Sequence, residues 1–392
     1  MVGIGVQERR ARLARRHHLA LRAASVDEAA AAVVGLHSSD PTSVYLSARS
    51  RVEGFAVADL EEALYERRSL VRMLGMRQTI FVVPREVAAV MDEACTKALA
   101  PPERRRLVGL LETQGIAAPG RGGRWVDRVQ EEVLDALSVR GQASARDLTK
   151  DVPELGAQLS FGEGKTWGGT MGVSTRILFL LAAEARIVRA RPLGTWISGQ
   201  YRWARTEAWL GAPLPELDHA EACDALLRRY LRAFGPATVI DVRWWTGWTV
   251  RLAASTLERV GAVEVALDDG AGSVLPDDLE PTDAPDAWVA LLPSLDPTVM
   301  GWKGRAWYLG EHGPELFDRN GNAGPTVWVN GRAIGTWAQI PSGEVRVKLL
   351  ERVDARTRRT IDAERERLRV WLGDIRLKPR FRTPLERSIS AS

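Results

Sequence analysis

Three times along the chain, a run of helical periodicity gives way to a short strand-like hairpin, and this repeated order constrains the fold more than any single motif. In the first block, 6–19, 26–36, 42–50 and 58–66 read as helices, the last with Leu60, Ala63 and Leu64 at helical spacing. The period then changes. Residues 70–84 are strand-like on both sides of Gly75 and read as a hairpin. In the second block, helices at 125–138, from 142 with Ser144 as cap, and at 174–184 precede strands at 187–191 and 200–203. In the third, helices at 219–234, 237–245 (capped by Thr238) and 249–260 precede a hairpin at 263–275.

Several helices followed by a hairpin is the order of a winged helix, a helix-turn-helix with a β wing. Residues 86–99 and 103–113 read as linker helices, and the Gly-rich stretch 117–124 as a flexible joint. From Trp288 onward the pattern becomes short strands at 288–292, 305–309, 326–329, 333–337 and 345–349, with Asn320-Gly321 and Asn330-Gly331 as primed hairpin turns. The expected fold class is α+β: three tandem winged-helix units, a small C-terminal β-barrel or sandwich, and a closing helix. The expected boundaries are 1–85, 86–124, 125–211, 212–280, 287–350 and 351–392.

Charge is uneven. The net charge is only +4, but Arg9, Arg10, Arg12, Arg15, Arg16 and Arg22 crowd the first block against Glu8, and Arg376, Lys378, Arg380, Arg382 and Arg387 crowd the end. Basic ends suggest a polyanionic partner, and they are also a common solvated feature. No apolar run reaches the length of a membrane span, and the N-terminus lacks an apolar core followed by a cleavage site, so a cytoplasmic protein is expected. Cys95 and Cys223 give neither a disulfide framework nor a zinc spacing. The loop 162–169 contains Gly-Lys-Thr without the first glycine or the preceding strand of a phosphate-binding loop. The expectation is therefore no metal, no cofactor and no nucleotide.

The chemically richest corner is Leu36-His37-Ser38-Ser39-Asp40-Pro41, between an Ala/Val-rich helix and the next one. Asp40 before Pro41 is an N-cap and first-position signal. Such a run is also simply what a cap and turn look like.

Leu36-His37-Ser38-Ser39-Asp40-Pro41 and the following Leu46-Ser47-Ala48-Arg49 resemble the signature of the AlkZ/YcaQ-like winged-helix DNA glycosylases, a family associated with resistance to DNA-crosslinking natural products. That family usually carries Gln-aliphatic-Gln or Gln-aliphatic-Asp ahead of the Asp-Pro, with a His variant in some branches. Arg77-Gln78-Thr79 resembles its Met-Arg-Gly-Thr hairpin, with Gln78 in place of the usual Gly and Phe81 where a His is frequent. Asp296-Pro297 and 331–337 are similar to its C-terminal region.

The resemblance implies a C-shaped molecule around a duplex DNA channel, and cleavage of the N-glycosidic bond of an N7-alkylated or crosslinked purine. A purine alkylated at N7 is positively charged and already a good leaving group, so the protein need only position water and stabilise an oxocarbenium-like sugar. In that setting His37 and Ser39 occupy the two catalytic positions. His37 would orient or deprotonate the water, Ser39 would hold it, and Asp40 would act as a cap or electrostatically. Arg49, Arg51, Arg77, Gln78, Thr79, Arg189, Arg191 and Arg202 are the candidate DNA contacts. Two alternatives stay open: a non-catalytic winged-helix DNA-binding protein or regulator, and a binder of something other than DNA on the same scaffold.

Overall fold

The computed structural model describes residues 2–162, 164–165 and 168–390. Within the Gly-Lys-Thr loop, Glu163, Thr166 and Trp167 lie outside the described residues. Helices and antiparallel sheets alternate along the chain, a mixed α and β fold.

Helix α1 (Val6–Arg16) opens the chain, and α2 (Val26–Ala32) follows with Ser25 as its cap. The second helix stops short of the expected residue 36 because Val34 turns to φ 65. A left-handed β-branched residue cannot continue a helix. The chain re-enters as a two-residue strand, β1 (Leu36–His37). Gly35 permits this, since a Cβ there would sit 2.7 Å from a Val83 methyl group. Next come α3 (Pro41–Arg49) and α4 (Val57–Glu61), the latter continued by a π turn at Glu62–Glu66. The hairpin β2 (Leu70–Leu74) and β3 (Ile80–Pro84) completes a sheet in the order β1–β3–β2.

Helices α5 (Arg85–Met91) and α6 (Ala100–Thr113) lead to α7 (Gly122–Arg140). Most of the Gly-rich joint is exposed, and Gly122 anchors it. Gly122 donates its N–H to Glu112 Oε1 at 2.8 Å, and a Cβ on it would meet Val108 and Glu112.

Strand β4 (Ala143–Ser144) and α8 (Ala145–Asp151) follow, with Ser144 and Asp147 capping each other's backbone. An unexpected hairpin, β5 (Gln158–Phe161) and β6 (Gly169–Gly172), precedes α9 (Val173–Ala183). Then β7 (Ile187–Pro192) and β8 (Tyr201–Arg205) give the sheet order β4–β8–β7, the first sheet's pattern again. After α10 (Thr206–Leu210), helices α11 (His219–Phe234), α12 (Val239–Thr246) and α13 (Val250–Arg259) precede the hairpin β9 (Val263–Leu267) and β10 (Gly270–Val274). Here the first strand shrinks to one bridge, Ala237 to Ser273.

The C-terminal part departs from expectation. Strands β11 (Val289–Leu292), β12 (Thr326–Val329), β13 (Arg332–Gln339) and β14 (Val345–Leu349) form one open antiparallel meander in that order. Neither a closed barrel nor a two-sheet sandwich forms among the described residues. Four strands are too few to close (a small barrel needs about eight), and helices cover the sheet instead. The strand expected at 305–309 is a short helix, α14 (Ala306–Leu309), with Trp307, Tyr308 and Leu309 all buried. Helix α15 (Gly313–Leu316) follows it, α16 (Ala355–Leu372) lies against β11 and β14, and α17 (Pro384–Ser390) lies against β13.

One apolar core runs from Leu13 through the first and third blocks to Leu372, and a second joins α6, α7 and α9. The N-terminal arginines serve the first of these. Arg12 is buried on Glu8 and Asp278, Arg16 holds Asp278 at 2.6 Å, and Arg10, Arg15 and Arg22 donate to backbone carbonyls. They rivet α1 in place, which removes the main reason to see them as a polyanion surface. Among the described residues no helix is long and apolar enough to cross a membrane.

Candidate active site

The corner 36–41 is built by three local rules. Strand β1 pairs Leu36 with Val82 and His37 with Phe81, which carries His37 to the rim of the first sheet. Ser38 N–H donates to Ile80 O at 2.7 Å, closing the ladder. Asp40 then starts α3. Its Oδ1 accepts from Thr42 N–H at 2.9 Å and Thr42 Oγ1 at 2.6 Å, with Pro41 at the first helical position. Its Oδ2 accepts from Arg380 N–H at 2.9 Å. Asp40 is thus buried, with both oxygens taken by the cap and by the C-terminal strap.

His37 is 3 % exposed and meets Phe81 edge to face at 5.1 Å. Burial pulls its pKa down to about 3, and the Arg77 charge adds to this, so the imidazole is neutral across the physiological range. Nδ1 accepts a long hydrogen bond from Ser39 N–H at 3.4 Å. A backbone N–H can only donate, so the proton of the neutral ring belongs on Nε2. Nε2 has no partner among the described residues. In this arrangement His37 offers a donor, which suits orienting a water and does not suit deprotonating one. Ser39 Oγ accepts from Ile80 N–H at 3.1 Å and keeps its own proton to donate. Ser38 Oγ is buried without a partner.

The hairpin turn faces this corner. Arg77 and Gln78 take φ 53 and 61, and Thr79 N–H closes on Met76 O at 3.1 Å, the form of a type I′ turn. The turn lays Arg77 on the Trp244 ring, with Cζ 4.0 Å from the ring centre. Burial lowers the Arg77 pKa to about 10, with Arg305 contributing. Thr79 Oγ1 donates to Met76 O at 2.8 Å, and Gln78 reaches Glu103 at 3.4 Å.

Of the candidate residues, His37, Ser39, Arg77 and Thr79 are gathered at this corner. Arg189 and Arg202 lie on the second hairpin. Arg189 lies over Tyr201 and Trp203 at 5.1 and 5.2 Å with its Nε buried and unpartnered, and burial lowers its pKa to about 10. Arg202 is half-buried and has no ion pair or side-chain hydrogen bond among the described residues.

Two arginines, Arg49 and Arg51, turn inward, and a third, Arg191, stays partly exposed but is paired with carboxylates. Arg51 is fully buried, its fork on both oxygens of Asp296 at 2.8 and 2.6 Å and on Thr298 Oγ1 at 2.8 Å. Arg49 binds Glu364 at 2.8 Å, with its side chain 10 % exposed. Arg191 binds Glu61 and Glu66, each at 2.9 Å, and docks the second hairpin on the first block. In each case the fork is already filled by carboxylate, so a phosphate would have to displace a matched partner.

Sequence reasoning missed Trp244, Arg305 and Arg380, which join the site only through tertiary packing. Among the described residues no group of His, Cys, Asp and Glu could hold a metal ion.

A solved structure of the Streptomyces sahachiroi DNA glycosylase AlkZ superposes with a TM-score of 0.74, covering 94% of this chain and 98% of that one at 18% identity. No curated protein matches the chain. The family model described as DNA glycosylase AlkZ-like matches residues 30–371. The chain belongs to the AlkZ-like DNA glycosylase family.

Proposed function

We propose that this protein hydrolyses the N-glycosidic bond of N7-alkylated purines in duplex DNA, and unhooks interstrand crosslinks made through the same atom. The observation that carries this reading is the neutral His37 with Nε2 unspent, beside the Ser39 hydroxyl. An N7-alkylpurine carries a positive charge, and a buried imidazolium would repel it. A neutral donor does not. Water that accepts from His37 Nε2–H and donates to Ser39 Oγ would keep one lone pair for the sugar carbon; the base takes the bond's electron pair and leaves neutral, and the proton the water sheds passes to solvent. Neither group needs to supply charge, because the leaving group brings its own.

The three helix–helix–helix–hairpin blocks are read as winged helices, with the boundaries 1–85, 125–211 and 212–280. The recurring strand order of first, last, middle supports this. Arg77, Arg189 and Arg202 are read as DNA contacts along the channel, and the protein acts in base excision in the cytoplasm. The test is release of free base from duplexes carrying N7-methylguanine or a bis-alkylated crosslink. Release from either supports the reading. Salt-sensitive binding without release would favour a non-catalytic DNA-binding protein.

A further inference from the structure

Trp244 on α12 receives two guanidinium groups. The Arg77 Cζ lies 4.0 Å from its ring centre, and the Arg305 Cζ lies 4.6 Å from it. The three residues come from the first hairpin turn, the third block and the segment just before α14. An indole attracts a cation, but it does not cancel the repulsion between two full charges in a half-buried place.

Neither arginine has a carboxylate partner among the described residues. The acid nearest Arg305, Asp241, is already spent. Its Oδ1 takes Lys303 N–H at 2.7 Å and Gly304 N–H at 2.8 Å, and its Oδ2 takes Thr238 N–H at 3.0 Å and Thr238 Oγ1 at 2.8 Å. Arg77 makes no hydrogen bond, and its Nε is buried without a partner. Arg305 donates Nε to Trp302 O at 2.8 Å, hydrogen-bonds the Tyr308 hydroxyl, rests on Phe317 at 4.5 Å, and brings Nη2 within 4.0 Å of Met300 Sδ. The Arg77 fork is therefore unspent, and the Arg305 fork partly so. Planar guanidinium forks match phosphate, and a phosphate relieves their mutual repulsion.

We propose that Arg77 and Arg305, braced on Trp244, form a phosphate clamp that takes a backbone phosphate of the DNA next to the nucleotide held at His37. This rests on the glycosylase reading, and it assigns Arg305 a DNA contact. Arg77 stands three residues before Ile80, whose N–H and C=O bond Ser39 Oγ and Ser38 N–H, so the clamped phosphate lies next to the corner and fixes the sugar's register.

The test measures affinity for an alkylated duplex against salt, for wild type, Arg305→Gln and Arg305→Lys, with melting temperatures as a folding check. Arg305→Gln is expected to weaken binding about tenfold and to reduce the salt slope by about one, while Arg305→Lys keeps the slope. A single neutral methylphosphonate is then moved along the backbone near the lesion. At one position wild type should lose affinity while Arg305→Gln loses no more. A folded Arg305→Gln with unchanged affinity and slope overturns the clamp, as does a loss tied to no single phosphate. Inorganic phosphate separates the readings. If wild type binds no DNA but is stabilised by phosphate in an Arg305-dependent way, the clamp stands as a small-anion site and the glycosylase reading fails.

Discussion

Arg51 and Asp296, 245 residues apart in the chain, close a two-pronged ion pair in which neither side chain touches solvent. Ser47 Oγ and Thr298 N–H fill the remaining acceptor sites of Asp296 at 2.6 and 2.9 Å. The burial cost is thus offset on both sides, and Arg51 and the other hydrogen bonds hold the Asp296 carboxyl below its usual pKa. The pair bolts the second residue after α3 to the loop after β11.

Removing one partner strands a buried charge. Asp296→Ala is expected to destabilise the protein by about 3–5 kcal/mol, whereas the double change Arg51→Met, Asp296→Leu costs much less. Denaturant unfolding of the three proteins decides it. A small loss in Asp296→Ala would show that Arg51 finds water.

Asp40 is expected to matter twice. Asp40→Ala loses the α3 cap, about 1 kcal/mol, and frees the strap at Arg380. Trypsin should then cut after Arg380 or Arg382 faster than in wild type. Asp40→Asn keeps a cap and should fall between the two. Equal cleavage of all three would show that the strap is held by other contacts, such as Ser294 to Phe381 O and Gln339 to Leu377 N–H.

Gln78 sits in the left-handed region at φ 61, where a side chain costs about 1 kcal/mol. Gln78→Gly is therefore expected to raise the melting temperature, and Gln78→Ala is not. A fall with Gly would mean that the Glu103 contact outweighs the backbone relief.

His17 and His37 are both buried with pKa values near 3, mainly through desolvation. The unfolded chain takes up these protons near pH 6.5 and the folded one does not. Stability is thus complete above about pH 6.5 and is lost as pH falls towards 3, by at most about 1.4 kcal/mol per pH unit for each histidine. His17→Gln should flatten the acid side of a stability profile. An unchanged slope would show that His17 takes up its proton alike in the folded and unfolded states.

Local signals were legible. Asp40-Pro41 announced α3, Thr238 and Ser144 announced their caps, and Asn330-Gly331 announced the turn between β12 and β13. Short or buried elements were not. Strand β1 spans two residues and leaves no alternation to read, and Trp307-Tyr308-Leu309 is apolar enough for strand or helix. Least legible was the fate of each arginine. Arg49 and Arg51 sit two residues apart beside the corner, yet both turn to acids beyond residue 290, while Arg77 finds only an indole. A sequence shows a cation but not whether a distant carboxylate will claim it.

The most direct measurement is the single-turnover rate of N7-methylguanine release by wild type, His37→Gln and His37→Ala between about pH 5 and 8. A neutral imidazole acting as a donor predicts a flat wild-type profile through pH 6.5, a loss of about a hundredfold in His37→Ala, and partial recovery in His37→Gln, whose amide also donates. A wild-type rate that falls below pH 6.5 would make His37 a base, and an unchanged rate in His37→Ala would put the chemistry elsewhere.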